Sequence, residues 1–105
     1  MLKENETIKL TGEEAVNIIK EVNYLLISLG NIAHYYYSEP VISDDKRLEY
    51  ERETTKFIDK NKVTHRLAEI RRILSSKFDN SLGDDDMDDI ERATEDTPYW
   101  EKPGD

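Results

Sequence analysis

The sequence predicts an all-α fold: a small antiparallel bundle of three or four helices, with a long first helix and an acidic C-terminal tail. Three observations carry this expectation. Apolar residues recur at spacings of three and four in three separate stretches, and helix-capping residues stand at the head of two of them. Leu, Ile, Val and Phe together number 25 of 105 residues, above the ~20% below which chains tend to stay disordered. The charged share of 37% exceeds the usual ~25%. One folded domain with a strongly solvated portion follows.

The first helix starts at Thr11, whose hydroxyl can accept from the amide three residues on while Glu14 reaches back to the Thr11 amide, a capping box. After it come Ala15, Ile18, Val22, Leu25, Leu29, Ile32 and Tyr36, widened by Ile19, Leu26 and Ala33. Three apolar positions per seven residues make the stripe of a core-facing bundle helix. Pro40 biases Glu39 away from helical dihedrals, so the helix should end near Tyr37. A helix over 12–37 is ~39 Å long, more than a compact domain with a radius of gyration of ~13 Å accommodates easily. Self-association, with Tyr35, Tyr36 and Tyr37 as the anchor, would relieve that mismatch.

Ser43 followed by Asp44 and Asp45 is a second cap, because acids suit the positive end of the helix dipole. Leu48, Tyr50, Thr54, Phe57 and Ile58 then form one stripe, and Val63, Leu67, Ile70, Leu74 and Phe78, with Ile73 beside them, form another. The step from Ile58 to Val63 turns ~140° net, so the stripes do not share a face. One long helix or two would satisfy this. A turn over 59–62 is favoured, since Asn61 tolerates the left-handed conformation of a helix end. Residues 79–83 read as a loop, and residues 84–95 as a short helix with Met87, Ile90 and Ala93 or Thr94 inward. Tyr99 and Trp100 can dock the tail before it frays. The expected division is a flexible N-terminal arm over 1–10, a core over 11–79 and an acidic segment over 80–105.

Charge is segregated. Residues 1–53 hold six bases and eleven acids, residues 54–78 seven bases and two acids, and residues 79–105 two bases and eleven acids. Blocks of like charge often mark interaction surfaces. Asp84, Asp85, Asp86, Asp88, Asp89, Glu91 and Glu95, with Tyr99 and Trp100, are the expected surface for a basic partner protein. Lys62, Arg66, Arg71 and Arg72 form the alternative, an anion site for nucleic acid or a nucleotide. The formal net charge of −9 works against a phosphate backbone, so direct nucleic-acid binding is the lesser expectation.

Catalysis is not expected. No phosphate loop or nucleophile elbow can be read, and His65 with Glu69 at i+4 reads as a surface pair. Glu13, Glu14 and Glu21 lack a convincing second acidic cluster beyond Glu49 and Glu53. Acids at 84, 86, 88 and 95 fall in a calcium-loop frame, but Asp89 stands where the sharp turn needs Gly. No cofactor or metal is expected. Absence of cysteine suits a reducing compartment, and the charged N-terminus does not read as a secretory signal. The expectation is a cytoplasmic, membrane-free, non-catalytic interaction protein. It resembles, in type only, small phage anti-defence and toxin-immunity proteins that act as inhibitors or adaptors, and it can form homo-oligomers.

Overall fold

A computed structural model describes residues 1–105. The chain is all-helical, with a 3-10 turn at Lys3–Asn5 and helices α1 (Gly12–Tyr36), α2 (Asp44–Lys60), α3 (Val63–Ser75) and α4 (Asp89–Thr94). It divides into two compact units, Leu10–Ile73 and Met1–Lys9 with Leu74–Asp105. The expected boundaries at 10/11 and 79/80 are therefore replaced. The N-terminal residues join the C-terminal third, and the last two residues of α3, Leu74 and Ser75, belong with them.

Within Leu10–Ile73, local chemistry sets the helix starts. The Thr11 hydroxyl accepts from the Glu14 amide at 3.0 Å, and Glu14 Oε1 accepts from the Thr11 amide at 3.0 Å. Ser43 Oγ accepts from the Lys46 amide at 3.2 Å. The α2–α3 junction is a turn, as expected, but the left-handed residue is Lys62, φ +51°, while Asn61 has φ −96°. Asn61 is occupied otherwise. Its Nδ2 donates back to the Phe57 carbonyl at 3.1 Å, its Oδ1 accepts from the Tyr24 hydroxyl at 2.9 Å, and its carbonyl accepts from Arg66 Nε at 2.9 Å.

These bonds join three helices. Arg66 on α3 also donates to Glu21 Oε2 on α1 at 2.8 Å, and its guanidinium lies 4.4 Å from the centre of the Tyr24 ring. The Tyr24 ring in turn sits 5.8 Å from that of Phe57 on α2. At the other end of α2, Tyr50 meets Tyr36 at 6.2 Å and Tyr37 at 5.0 Å, both edge-on.

The inward stripe of α2 is Tyr50, Thr54 and Phe57; Leu48 and Ile58, expected beside them, are exposed. On α3 Leu67 is exposed and Arg66 takes the half-buried place, because the cation finds an aromatic face, a carboxylate and a carbonyl there. Leu25, 7% exposed, is the one buried apolar residue, and no side chain is sealed completely from solvent.

Two outcomes follow for this unit. Leu25→Asp buries an unpaired carboxylate, a change costing several kcal/mol, and thermal circular dichroism should show loss of cooperative unfolding. Asn61→Ala removes two side-chain hydrogen bonds and should lower stability by about 1–3 kcal/mol in a urea titration.

Candidate functional site

The acidic block lies in the unit formed by Met1–Lys9 and Leu74–Asp105. That unit holds thirteen acids and five bases, a formal −8, against eleven acids and ten bases, a formal −1, for Leu10–Ile73. The structural division thus separates a strongly acidic unit from a nearly neutral one, in which the bases of 54–73 offset the acids of 10–53.

Arg92 organises the loop. Its Nε and Nη2 donate to the two carboxylate oxygens of Asp85 at 2.8 Å each, Nη2 also donates to the Met87 carbonyl at 3.0 Å, and Nη1 donates to Asp89 Oδ1 at 2.9 Å. Asp85 Oδ1 accepts from the Met87 amide at 3.2 Å, and the Gly83 amide donates to the Met87 carbonyl at 2.9 Å. Residues 83–87 thus wind around one guanidinium. A Cβ at Gly83 would lie 2.7 Å from Arg92 Nη2, so a side chain there would push the cation out of its seat.

Asp89 carries the second tie. It is 6% exposed, and its Oδ2 accepts from the Leu2 amide at 2.7 Å and from Asn5 Nδ2 at 2.8 Å. Asn5, 4% exposed, also donates to the Asp79 carbonyl at 2.9 Å and accepts from the Asp79 amide at 2.7 Å. Its side-chain amide pairs with the backbone of residue 79 as another peptide group would. Residues 1–10, expected as a flexible arm, therefore include a buried anchor. The helix expected from residue 84 begins only at Asp89, because Asp88 caps it by accepting from the Glu91 amide at 2.8 Å. Met87 and Ile90 are half-buried, whereas Ala93 and Thr94 are exposed.

The candidate residues consequently split. Asp85 and Asp89 are spent on Arg92 and the N-terminus, and Asp88 is spent on the cap. Asp84, Asp86, Glu91 and Glu95 are exposed, Asp86 from a left-handed backbone at φ +58°. Tyr99 and Trp100 are each 67% exposed, not docked, and the last residues close on themselves as Asp105 Oδ2 accepts from the amides of Glu101 and Lys102.

The carboxyl of Asp85 is held well below its ordinary range, first by the Arg92 hydrogen bonds. Asp89 is lowered too, by Asn5 first and then the Leu2 amide, and Arg92 is raised, by Asp85 first.

Of the alternative anion-site residues, Arg66 is committed to Glu21, Asn61 and Tyr24, and Arg72 makes a two-point pair with Glu69 at 2.9 and 2.6 Å. Glu69 thus meets Arg72 at i+3 in place of His65. Lys62 and Arg71 are exposed. In the tyrosine cluster Tyr35 is largely exposed and packs edge-on against Tyr36 at 4.9 Å. The Tyr36 hydroxyl is pushed up, by burial first and by Glu53 and Glu49 next. No helix is long and apolar enough to cross a membrane. No family model, curated protein or solved structure matches the chain.

Arg92, Gly83 and Asn5 are the contributors that sequence reasoning missed. Arg92 had a readable signal, as the lone base among the acids of 84–96 with Asp89 at i−3. Asn5 had none, being 84 residues from its carboxylate partner.

The lowered carboxyls give a signed pH dependence. Their stabilisation is fully present above the unfolded carboxyl value of ~3.9 and is lost as pH falls through the lower folded values. Asp85→Asn should reduce stability at neutral pH and flatten its loss on acidification. Carboxyl carbon NMR should show Asp85 and Asp89 titrating below ~3.9.

Proposed function

We propose that this is a non-catalytic acidic interaction protein, an inhibitor or adaptor whose acidic unit engages a basic surface of a larger partner protein. One observation carries the reading: −8 of the formal charge resides on one unit, with Asp84, Asp86, Glu91 and Glu95 exposed around a frame fixed by Arg92 and with Tyr99 and Trp100 exposed in the same unit. Charge of one sign on a braced frame speeds encounter with an opposite surface. Exposed aromatics supply the anchors that dominate interface energetics.

In type this is the design of phage anti-defence and immunity proteins that cover a basic, often nucleic-acid-binding, surface, and a cytoplasmic setting accords with it. The scaffold is read as an antiparallel bundle, which the Tyr36–Tyr50 contact near one end of α1 and the Tyr24–Phe57 contact farther along it support. The anion-site alternative is the weaker reading, since Arg66 and Arg72 already answer Glu21 and Glu69.

Charge neutralisation tests the proposal better than cutting the chain after Gly83, a cut that would remove the Asp89 carboxylate on which Asn5 depends. With the full chain as bait, mass spectrometry of proteins captured from its source organism should identify a partner. Joint Asp84→Asn, Asp86→Asn, Glu91→Gln and Glu95→Gln should slow association with that partner by at least about tenfold at low salt and leave thermal stability unchanged. Trp100→Ala should chiefly speed dissociation. Unaltered kinetics in both variants, or tight salt-sensitive binding of the parent to duplex DNA, would overturn the proposal.

A further inference from the structure

The C-terminal end of α1 borders a cavity that combines aromatic rings with a carboxylate. Asn31, Ile32, Tyr35 and Tyr36 of α1 and Glu53 of α2 enclose a space of about 370 Å³, wholly within Leu10–Ile73. The Tyr35 and Tyr36 rings lie 4.9 Å apart at 82°, and Tyr50 of α2 backs Tyr36 at 6.2 Å. Tyr35 is 75% exposed, so its ring is open to a ligand.

We infer that this cavity takes an arginine side chain of the basic partner protein, with its guanidinium against the two tyrosine rings and its charge answered by Glu53. The inference rests on the partner reading for the source of that arginine. Its chemistry rests on two observations of the helical unit itself.

The first is a precedent in the same unit. Farther back along α1, Glu21 and Tyr24 hold Arg66. The carboxylate accepts at 2.8 Å, and the guanidinium lies 4.4 Å from the ring centre. Phe57 of α2 backs the Tyr24 ring at 5.8 Å. A carboxylate and a tyrosine face, backed by an aromatic of α2, therefore seat an arginine in this fold. Tyr36 backed by Tyr50, with Tyr35 and Glu53 beside it, repeats those components. The chain supplies no cation of its own there. Arg66 on Tyr24 is its one cation–π contact, and neither Glu53 nor Glu49 enters an ion pair.

The second is the sign of the local charge. Glu49 stands one helical turn from Glu53, and both are exposed. The Tyr36 hydroxyl is pushed up by burial first and by these two carboxylates next, so their field reaches the rings. The nearby bases of α2 are engaged elsewhere. Arg52 and Lys56 border a different cavity with Leu48, Glu51 and Asp59, and Lys46 pairs with Glu39 at 3.8 Å. Such a site attracts cations and repels anions. Arginine suits it better than lysine, because a planar, weakly hydrated guanidinium stacks on a ring while still donating to a carboxylate.

NMR of the full chain, titrated with a capped glycine peptide that carries one arginine, tests this. The ring signals of Tyr35 and Tyr36 should shift and saturate. A citrulline peptide, of similar shape without the charge, should bind at least about tenfold more weakly, and a lysine peptide at least about threefold. Tyr35→Leu keeps an apolar body without the π face, and Glu53→Gln keeps the shape without the charge. Read at Tyr36, each should weaken the arginine peptide by about three- to tenfold with helical content unchanged. Glu51→Gln removes the same charge beside the other cavity and should bind like the parent.

Joint neutralisation of Asp84, Asp86, Glu91 and Glu95 should leave this peptide response intact, so failure here and failure of the acidic-unit reading are told apart. Absence of shifts at Tyr35 and Tyr36 in the parent overturns the inference. Equal binding of the citrulline or the lysine peptide overturns it as well. So do equal losses in Glu51→Gln and Glu53→Gln, or loss of the response in the neutralised acidic unit, since binding would then follow net charge rather than this cavity.

Discussion

Buried apolar surface is scarce in this chain, and polar side chains take over the task of fixing one element against the next. Leu25 alone among apolar residues is buried, and it still keeps 7% of its surface exposed. In the unit of α1, α2 and most of α3, the position of the third helix depends on Arg66, which meets Glu21, the Asn61 carbonyl and the Tyr24 ring. In the other unit the N-terminus is held by Asn5 and the Asp89 carboxylate. A hydrogen bond to a charged group contributes more than a neutral one, and leaving such a group buried without its partner is costly. Each knot is therefore a point where a single substitution has a large effect.

This economy divides the charged side chains into those that close the fold and those that face solvent. Asp85, Asp88 and Asp89 look the same in sequence as Asp84 and Asp86, yet the first three close the fold and the last two face solvent. The same sorting removes Arg66 and Arg72 from the basic stretch. What remains is a braced unit of formal charge −8 and a helical unit of formal charge −1.

Much of the helical plan was legible in the residues. Thr11 with Glu14 and Ser43 with Asp44 fixed two helix starts, and Pro40 and the turn over 59–62 limited two ends, because capping and backbone restriction act within four residues. The inward side of α1 was legible only in part. Apolar spacing marked both Leu25 and Leu26, one buried and the other two-thirds exposed, and periodicity cannot say which half of a broad stripe a neighbour covers. The start of α4 was misjudged by five residues, since an aspartate serves equally well as helix residue, cap or loop ligand until its donor is known.

The sequence by itself determined the helical class, the caps at Thr11 and Ser43 and the segregation of charge, all of which arise from local propensity and composition. Only the tertiary structure decided that the first nine residues belong with the last thirty-two, that Asn5 pairs with the backbone of residue 79 and the carboxylate of residue 89, and that Lys62, not Asn61, takes the left-handed turn. The physical reason is range. Caps and periodicity are read from neighbours, whereas a buried amide finds its carboxylate across 84 residues by the closure of the fold.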